Sequence, residues 1–110
     1  MASSCCGPAS VFVSYTDPGL RLSQIIRRET TAFMRDFGTP PRVILLENHG
    51  IITLGRSPDA VKAAMFMAEK AAKIFVGAAS LGGPRFLSAE NVSRIGGRPD
   101  EHYRRNVLKL

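Results

Sequence analysis

Few side chains in this sequence are suited to acid–base or metal chemistry, and one of them has a telling position. His49 is the middle residue of Asn48-His49-Gly50, set between Val43–Leu46 and residues 51–54, two aliphatic runs rich in β-branched residues. Such runs predict the two strands of a hairpin, and Gly50 is expected to give the turn its freedom in φ. A neutral imidazole held at the edge of a rigid sheet is a good ligand for a divalent cation such as zinc. On these residues alone the competing reading is simpler: a turn histidine whose ring hydrogen-bonds to nearby backbone.

The other candidates are weaker. Glu47 lies two residues from His49, but it is not assigned as a base, because strand alternation would carry its carboxylate to the opposite face. His102 sits in a charged tail beside Tyr103 and Arg104 and reads as a surface residue. Cys5 and Cys6 are adjacent, so they bond to each other only in a strained ring and have no partners at metal-binding spacing nearby. They read as free thiols. The 110 residues hold two histidines, whereas a catalytic zinc site takes three protein ligands and keeps one position open.

Composition narrows the function classes. A chain of 110 residues suits one small domain, and 45% apolar with 22% charged residues argues against disorder throughout. The nearest approach to a membrane span, residues 71–81, is interrupted by Lys73 and Gly77. The first residues lack a secretory pattern, so a cytoplasmic protein is expected. The formal charge is +6, but Arg27, Arg28, Lys62, Lys70, Lys73, Arg104 and Arg105 are scattered among acids rather than interleaved with aromatics. Nucleic-acid binding is therefore not expected; a positive field suits a small phosphate-bearing substrate.

The elements that must position His49 follow from periodicity and punctuation. Residues 1–10 read as a disordered leader and residues 11–15 as a short strand. Asp17-Pro18-Gly19 predicts a turn in which Asp17 is a candidate helix cap. Leu22, Ile25, Ile26, Phe33 and Phe37 then recur at helical spacing until Gly38, with Pro40 and Pro41 beyond. Ser57-Pro58-Asp59 is a strong helix start, and the helix should run from Pro58 to about Ala79, roughly 30 Å at the standard rise. Lys62, Glu69, Lys70 and Lys73 give it only a narrow polar face, which predicts burial on most sides. Gly82-Gly83-Pro84 breaks the pattern, Ser88 caps a short segment, and residues 99–109 predict a last helix. The layout implies helices packed on a small sheet, with two open sheet edges and a long apolar helix that demands covering.

From about Asp17 to Arg105 the chain resembles the C-terminal half of the class II aldolase/adducin family. The motifs that carry the resemblance are LLENHG, the following IITLGRSPDAV leading into an alanine-rich helix, GGPRFLSAENV, and GGRPDEHYRR. The resemblance implies an α/β fold of three layers, α/β/α, with a mainly antiparallel central sheet, in a homo-oligomer with sites between subunits. It implies a zinc-dependent aldehyde-lyase acting on sugar phosphates, with His49 as the third metal ligand. The first two ligands belong to a His-x-His in the N-terminal half, as do the acid/base glutamate and a phosphate loop. The metal polarises the substrate and stabilises the enediolate formed on carbon–carbon cleavage. In related aldolases a C-terminal tail carries a tyrosine toward a neighbouring site, which makes Tyr103 a candidate substrate-binding residue.

The chain departs from that pattern by lacking the His-x-His. Residues 11–110 are accordingly expected to form a partial domain, related to ketose-phosphate aldolases and inactive alone. Two alternatives stand beside this: a non-catalytic, adducin-like assembly module, and one half of an enzyme restored by a separate N-terminal half.

Overall fold

The structure is a computed structural model that describes residues 9–96 together with Pro99, Tyr103, Asn106 and Val107. Three short strands form one sheet in the order β1 (Val11–Val13), β2 (Val43–Leu46), β3 (Gly50–Thr53). Between β1 and β2 runs α1 (Leu20–Phe37). A connection of that length allows the chain to return in the same direction, and β1 and β2 pair in parallel, Val11 opposite Ile44 and Val13 opposite Leu46. The three-residue link between β2 and β3 makes them antiparallel, Ile44 opposite Ile52 and Val43 opposite Thr53. The sheet is thus mixed. Of the expected antiparallel character, the β2–β3 hairpin alone is present in these strands.

Alternation along β1 sorts its side chains: Val11 and Val13 are buried, and Phe12 between them is 60% exposed. The register sets Val11 beside Ile44 and Val13 beside Leu46, and this face packs against Leu22 and Phe33 of α1. Ile25, Ile26, Leu46, Ile52, Leu54 and Ala9 complete the cluster. Phe37, 47% exposed, stacks on Phe33 at the margin of the cluster, with ring centroids 4.4 Å apart. The helical spacing read from the sequence therefore marks the face that makes the core.

The caps follow local chemistry. Gly38 ends α1 in the left-handed region at φ 73°, and its N–H donates to the Met34 carbonyl at 2.8 Å. The start of α1 differs from expectation. Gly19, not Asp17, is the N-cap, without a side-chain hydrogen bond, and Asp17 instead accepts from the Tyr15 hydroxyl. The turn at Pro18-Gly19 places Asp17 two residues too early to reach the first free amides.

The second long helix, α2 (Pro58–Ala79), has the span its sequence predicts. The Ser57 hydroxyl accepts from the Ala60 N–H at 3.1 Å, with Pro58 in the first turn and Asp59 at the positive end of the dipole. Its opening turns lie close on the sheet. Ala64 is fully buried, and the Thr53 hydroxyl donates to the Val61 carbonyl. At Gly55 an added Cβ would stand 2.9 Å from the Val61 nitrogen, so the backbone there admits only glycine without a shift.

The predicted burial of α2 on most sides is not what the structure shows. Phe66, Ile74 and Val76 are 59%, 60% and 71% exposed, and Ala64 is the buried residue of the helix. The reason is geometric. A helix of this length runs about 33 Å, whereas strands of four residues reach only about 13 Å, so the sheet supports one end of it.

Beyond α2, Gly82 and Gly83 turn the chain at φ 106° and 105°, and Phe86 comes back to stack on Phe75. A short α3 (Ala89–Gly96) follows; the Ser88 hydroxyl accepts from the Asn91 N–H at 3.2 Å, as its sequence predicts. Pro99, Tyr103, Asn106 and Val107 are helical, while His102, Arg104, Arg105, Lys109 and both cysteines lie outside the described residues. No helix among the described residues is long and apolar enough to cross a membrane.

Candidate functional site

The turn that carries His49 comprises residues 47–49, and its geometry corrects the role assigned to glycine. The His49 N–H donates to the Leu46 carbonyl at 3.1 Å, closing a four-residue turn. Asn48, its third residue, holds φ 55°. That is the position where a type II turn requires positive φ, and asparagine tolerates the left-handed region better than most residues. Gly50 has no positive φ; it is the first residue of β3, paired with Leu46. The Asn-His-Gly sequence therefore works through its asparagine.

Because β1 and β2 are parallel, their carboxyl ends lie at the same rim of the sheet. Ligands of open α/β sheets gather beyond such ends. The ladder continues one step past the strands here: the Glu47 N–H donates to the Val13 carbonyl at 3.0 Å. Glu47 Oε2 then accepts from the Tyr15 N–H at 2.8 Å, and the Tyr15 hydroxyl donates to Asp17 Oδ1 at 3.0 Å. Tyr15, Asp17, Glu47, Asn48 and His49 thus share this rim. Glu47 belongs to the turn rather than to a strand, so its orientation comes from these bonds and not from alternation. From sequence, Tyr15 is only the end of a short strand and Asp17 only a candidate helix cap, and neither is marked for this rim. The signal that would have found them is the helix-length connection between two strands, which makes the strands parallel and brings their ends together.

His49 is exposed at the tip of this structure. Among the described residues no group of three or more His, Cys, Asp or Glu side chains is placed to hold a metal ion. A catalytic zinc needs three protein ligands, so the described donor set does not fit such a centre by itself; His49 offers one nitrogen. Tyr103 is 72% exposed on the tail. A separate open depression of about 720 Å³ forms where α2 leaves the sheet, lined by Thr53, Arg56, Ser57, Lys62, Met65 and Phe66. His49 is not among its lining residues.

A family model described as "Class II Aldolase and Adducin N-terminal domain" matches residues 1–76, from the N-terminus through β1, α1, the hairpin and most of α2. The tail motifs from Gly82 onward lie beyond that match. No curated protein and no solved structure matches the chain. With 76 of 110 residues inside the family model, the turn at His49 among them, the chain belongs to the class II aldolase/adducin family.

Proposed function

We propose that these residues form part of a metal-dependent aldehyde-lyase that acts on a ketose phosphate, with His49 as one of its metal ligands, and that they are inactive alone. The observation that supports this reading is the placement of His49. It sits on a hydrogen-bonded turn, beyond the ends of two parallel strands, within the span that matches the family. The remaining ligands, zinc itself and the acid/base glutamate are the complement this chain needs, because 110 residues with two histidines and no His-x-His cannot supply a three-histidine centre. In the assembled protein, a cytoplasmic homo-oligomer on this reading, Tyr103 is the tail residue to reach a substrate.

The same reading places α1 and α2 in the outer layers of a three-layer arrangement whose sheet is extended by antiparallel strands. In support, α1 packs on the face of Val11, Val13 and Ile44, while Thr53, of opposite parity to Ile52, bonds to Val61 of α2.

The test is complementation. The chain alone is expected to bind no zinc stoichiometrically and to leave ketose phosphates intact. Co-expressed with a family N-terminal segment bearing a His-x-His, it is expected to yield a complex with one zinc per pair, lost in His49→Ala. Tight one-to-one zinc binding and cleavage by the chain alone would overturn the inactivity. Full zinc retention by the His49→Ala pair would overturn the ligand assignment.

The exposed apolar residues Phe66, Ile74, Val76 and Leu81 favour a second reading, a non-catalytic assembly module of the adducin kind. A monodisperse monomer that melts cooperatively and binds no hydrophobic dye would count against it.

A further inference from the structure

The hydrogen bonds at the rim give Glu47 a task distinct from acid–base chemistry. Past Val13 the backbone of β1 no longer runs alongside β2, which has already entered its turn, and the Tyr15 N–H has no ladder carbonyl opposite it. Glu47 supplies the acceptor from its side chain at 2.8 Å while its own N–H holds the Val13 carbonyl at 3.0 Å. One residue therefore bonds the departing strand twice, once through backbone and once through side chain. Two residues further on is His49, whose N–H is fixed to Leu46. A turn held by a single i to i+3 bond at an exposed hairpin tip is ordinarily among the more mobile parts of a domain. Here that turn is fastened laterally to β1 as well.

We infer that Glu47 is a positioning residue, fastening the His49 turn to the chain leaving β1 by replacing the missing ladder carbonyl at Tyr15. The carboxylate is committed to a backbone amide and holds the imidazole's turn in register with the neighbouring strand end. The fastening is read from hydrogen-bond geometry; only its purpose, to present His49 as a ligand, rests on the function proposed above. The Tyr15 hydroxyl donates to Asp17 within the segment that leaves β1, a bond separate from the Glu47 contact.

The experiment compares the full chain with Glu47→Ala and Glu47→Gln by amide hydrogen exchange and backbone relaxation in NMR, without metal. Glutamine keeps an oxygen acceptor of the same reach and loses the charge. In Glu47→Ala the Tyr15 amide is expected to exchange about ten- to a hundredfold faster, as suits loss of a bond to a charged acceptor. The Asn48 and His49 amides should gain motion in that variant, while the amides of Leu22 to Phe33 in α1 keep their protection. Glu47→Gln should restore most of the Tyr15 protection and quiet the turn. Unchanged Tyr15 exchange in Glu47→Ala would overturn the contact. Faster Tyr15 exchange with an unaltered His49 turn would overturn the positioning role. A uniform loss of protection that glutamine fails to rescue would also overturn it, since that outcome reports general stability rather than local fastening. None of these readings depends on metal, so failure of the ligand assignment leaves them separately decided.

Discussion

At Asn48 the backbone makes a demand that one side chain in the turn meets and its neighbour does not. Asn48 holds φ 55°, and among described residues it is the sole non-glycine with positive φ. A β-branched residue there carries the full steric cost of the left-handed region, so Asn48→Val is expected to destabilise the chain by about 1–2 kcal/mol, and Asn48→Gly by a few tenths at most. Gly50 gives the opposite result. It has no positive φ and nothing within 4 Å of an added Cβ, so Gly50→Ala should change stability by less than about 0.5 kcal/mol. Thermal or urea melts of the three variants check both halves, and a Gly50→Ala loss as large as that of Asn48→Val would overturn the assignment of the left-handed position to Asn48. The sequence pointed to a turn at this place because asparagine and glycine both favour one. Which of the two takes the left-handed conformation depends on strand register, and register is set by the pairing of Leu46 with Gly50, a contact that composition does not encode.

Elements were more legible than single conformations, for a physical reason visible at α2. Its start is written in three successive residues, a hydroxyl, a proline and an acid, each satisfying a separate requirement of a helix N-terminus. Ser57→Ala removes the acceptor for the Ala60 amide and should cost about 1 kcal/mol, while Ser57→Asp should retain the stability of the parent; chemical denaturation of the pair measures it. If alanine costs nothing, the cap is not what anchors this end. The start of α1 carried a comparable signal in Asp17, yet Gly19 became the cap and the aspartate bonded Tyr15. A capping residue is recognisable only when the following backbone places its side chain over the free amides, and Pro18-Gly19 does not do so. The parallel pairing of β1 with β2 was available from connection length, and it is the feature that gathers Tyr15, Asp17, Glu47 and His49 at one rim.

Across the whole molecule, the mismatch between a three-strand sheet and a helix of about 33 Å decides how the chain behaves in solution. The alternation of alanine with large aliphatic side chains along α2 reads as a helix wrapped by neighbours, and the pattern is correct about what the helix needs. It is silent about whether these residues provide it. The structure leaves Phe66 at 59%, Val76 at 71% and Leu81 at 88% exposed, while Ile44 on the other side of the balance is 2% exposed in the core. The chain should therefore bind a hydrophobic dye while still folded. Phe66→Ser and Val76→Ser together should lower that binding and leave the melting midpoint within a few degrees of the parent, because neither side chain contributes much buried area. Ile44→Ala should act in reverse, costing about 2–5 kcal/mol through the cavity it opens and raising dye binding as the core loosens. Fluorescence titration beside a thermal melt separates the two cases. Should the double serine variant melt as poorly as Ile44→Ala, α2 is packed within the chain and its apolar face is core; should it melt like the parent with less dye bound, that face is a surface made for covering by other protein.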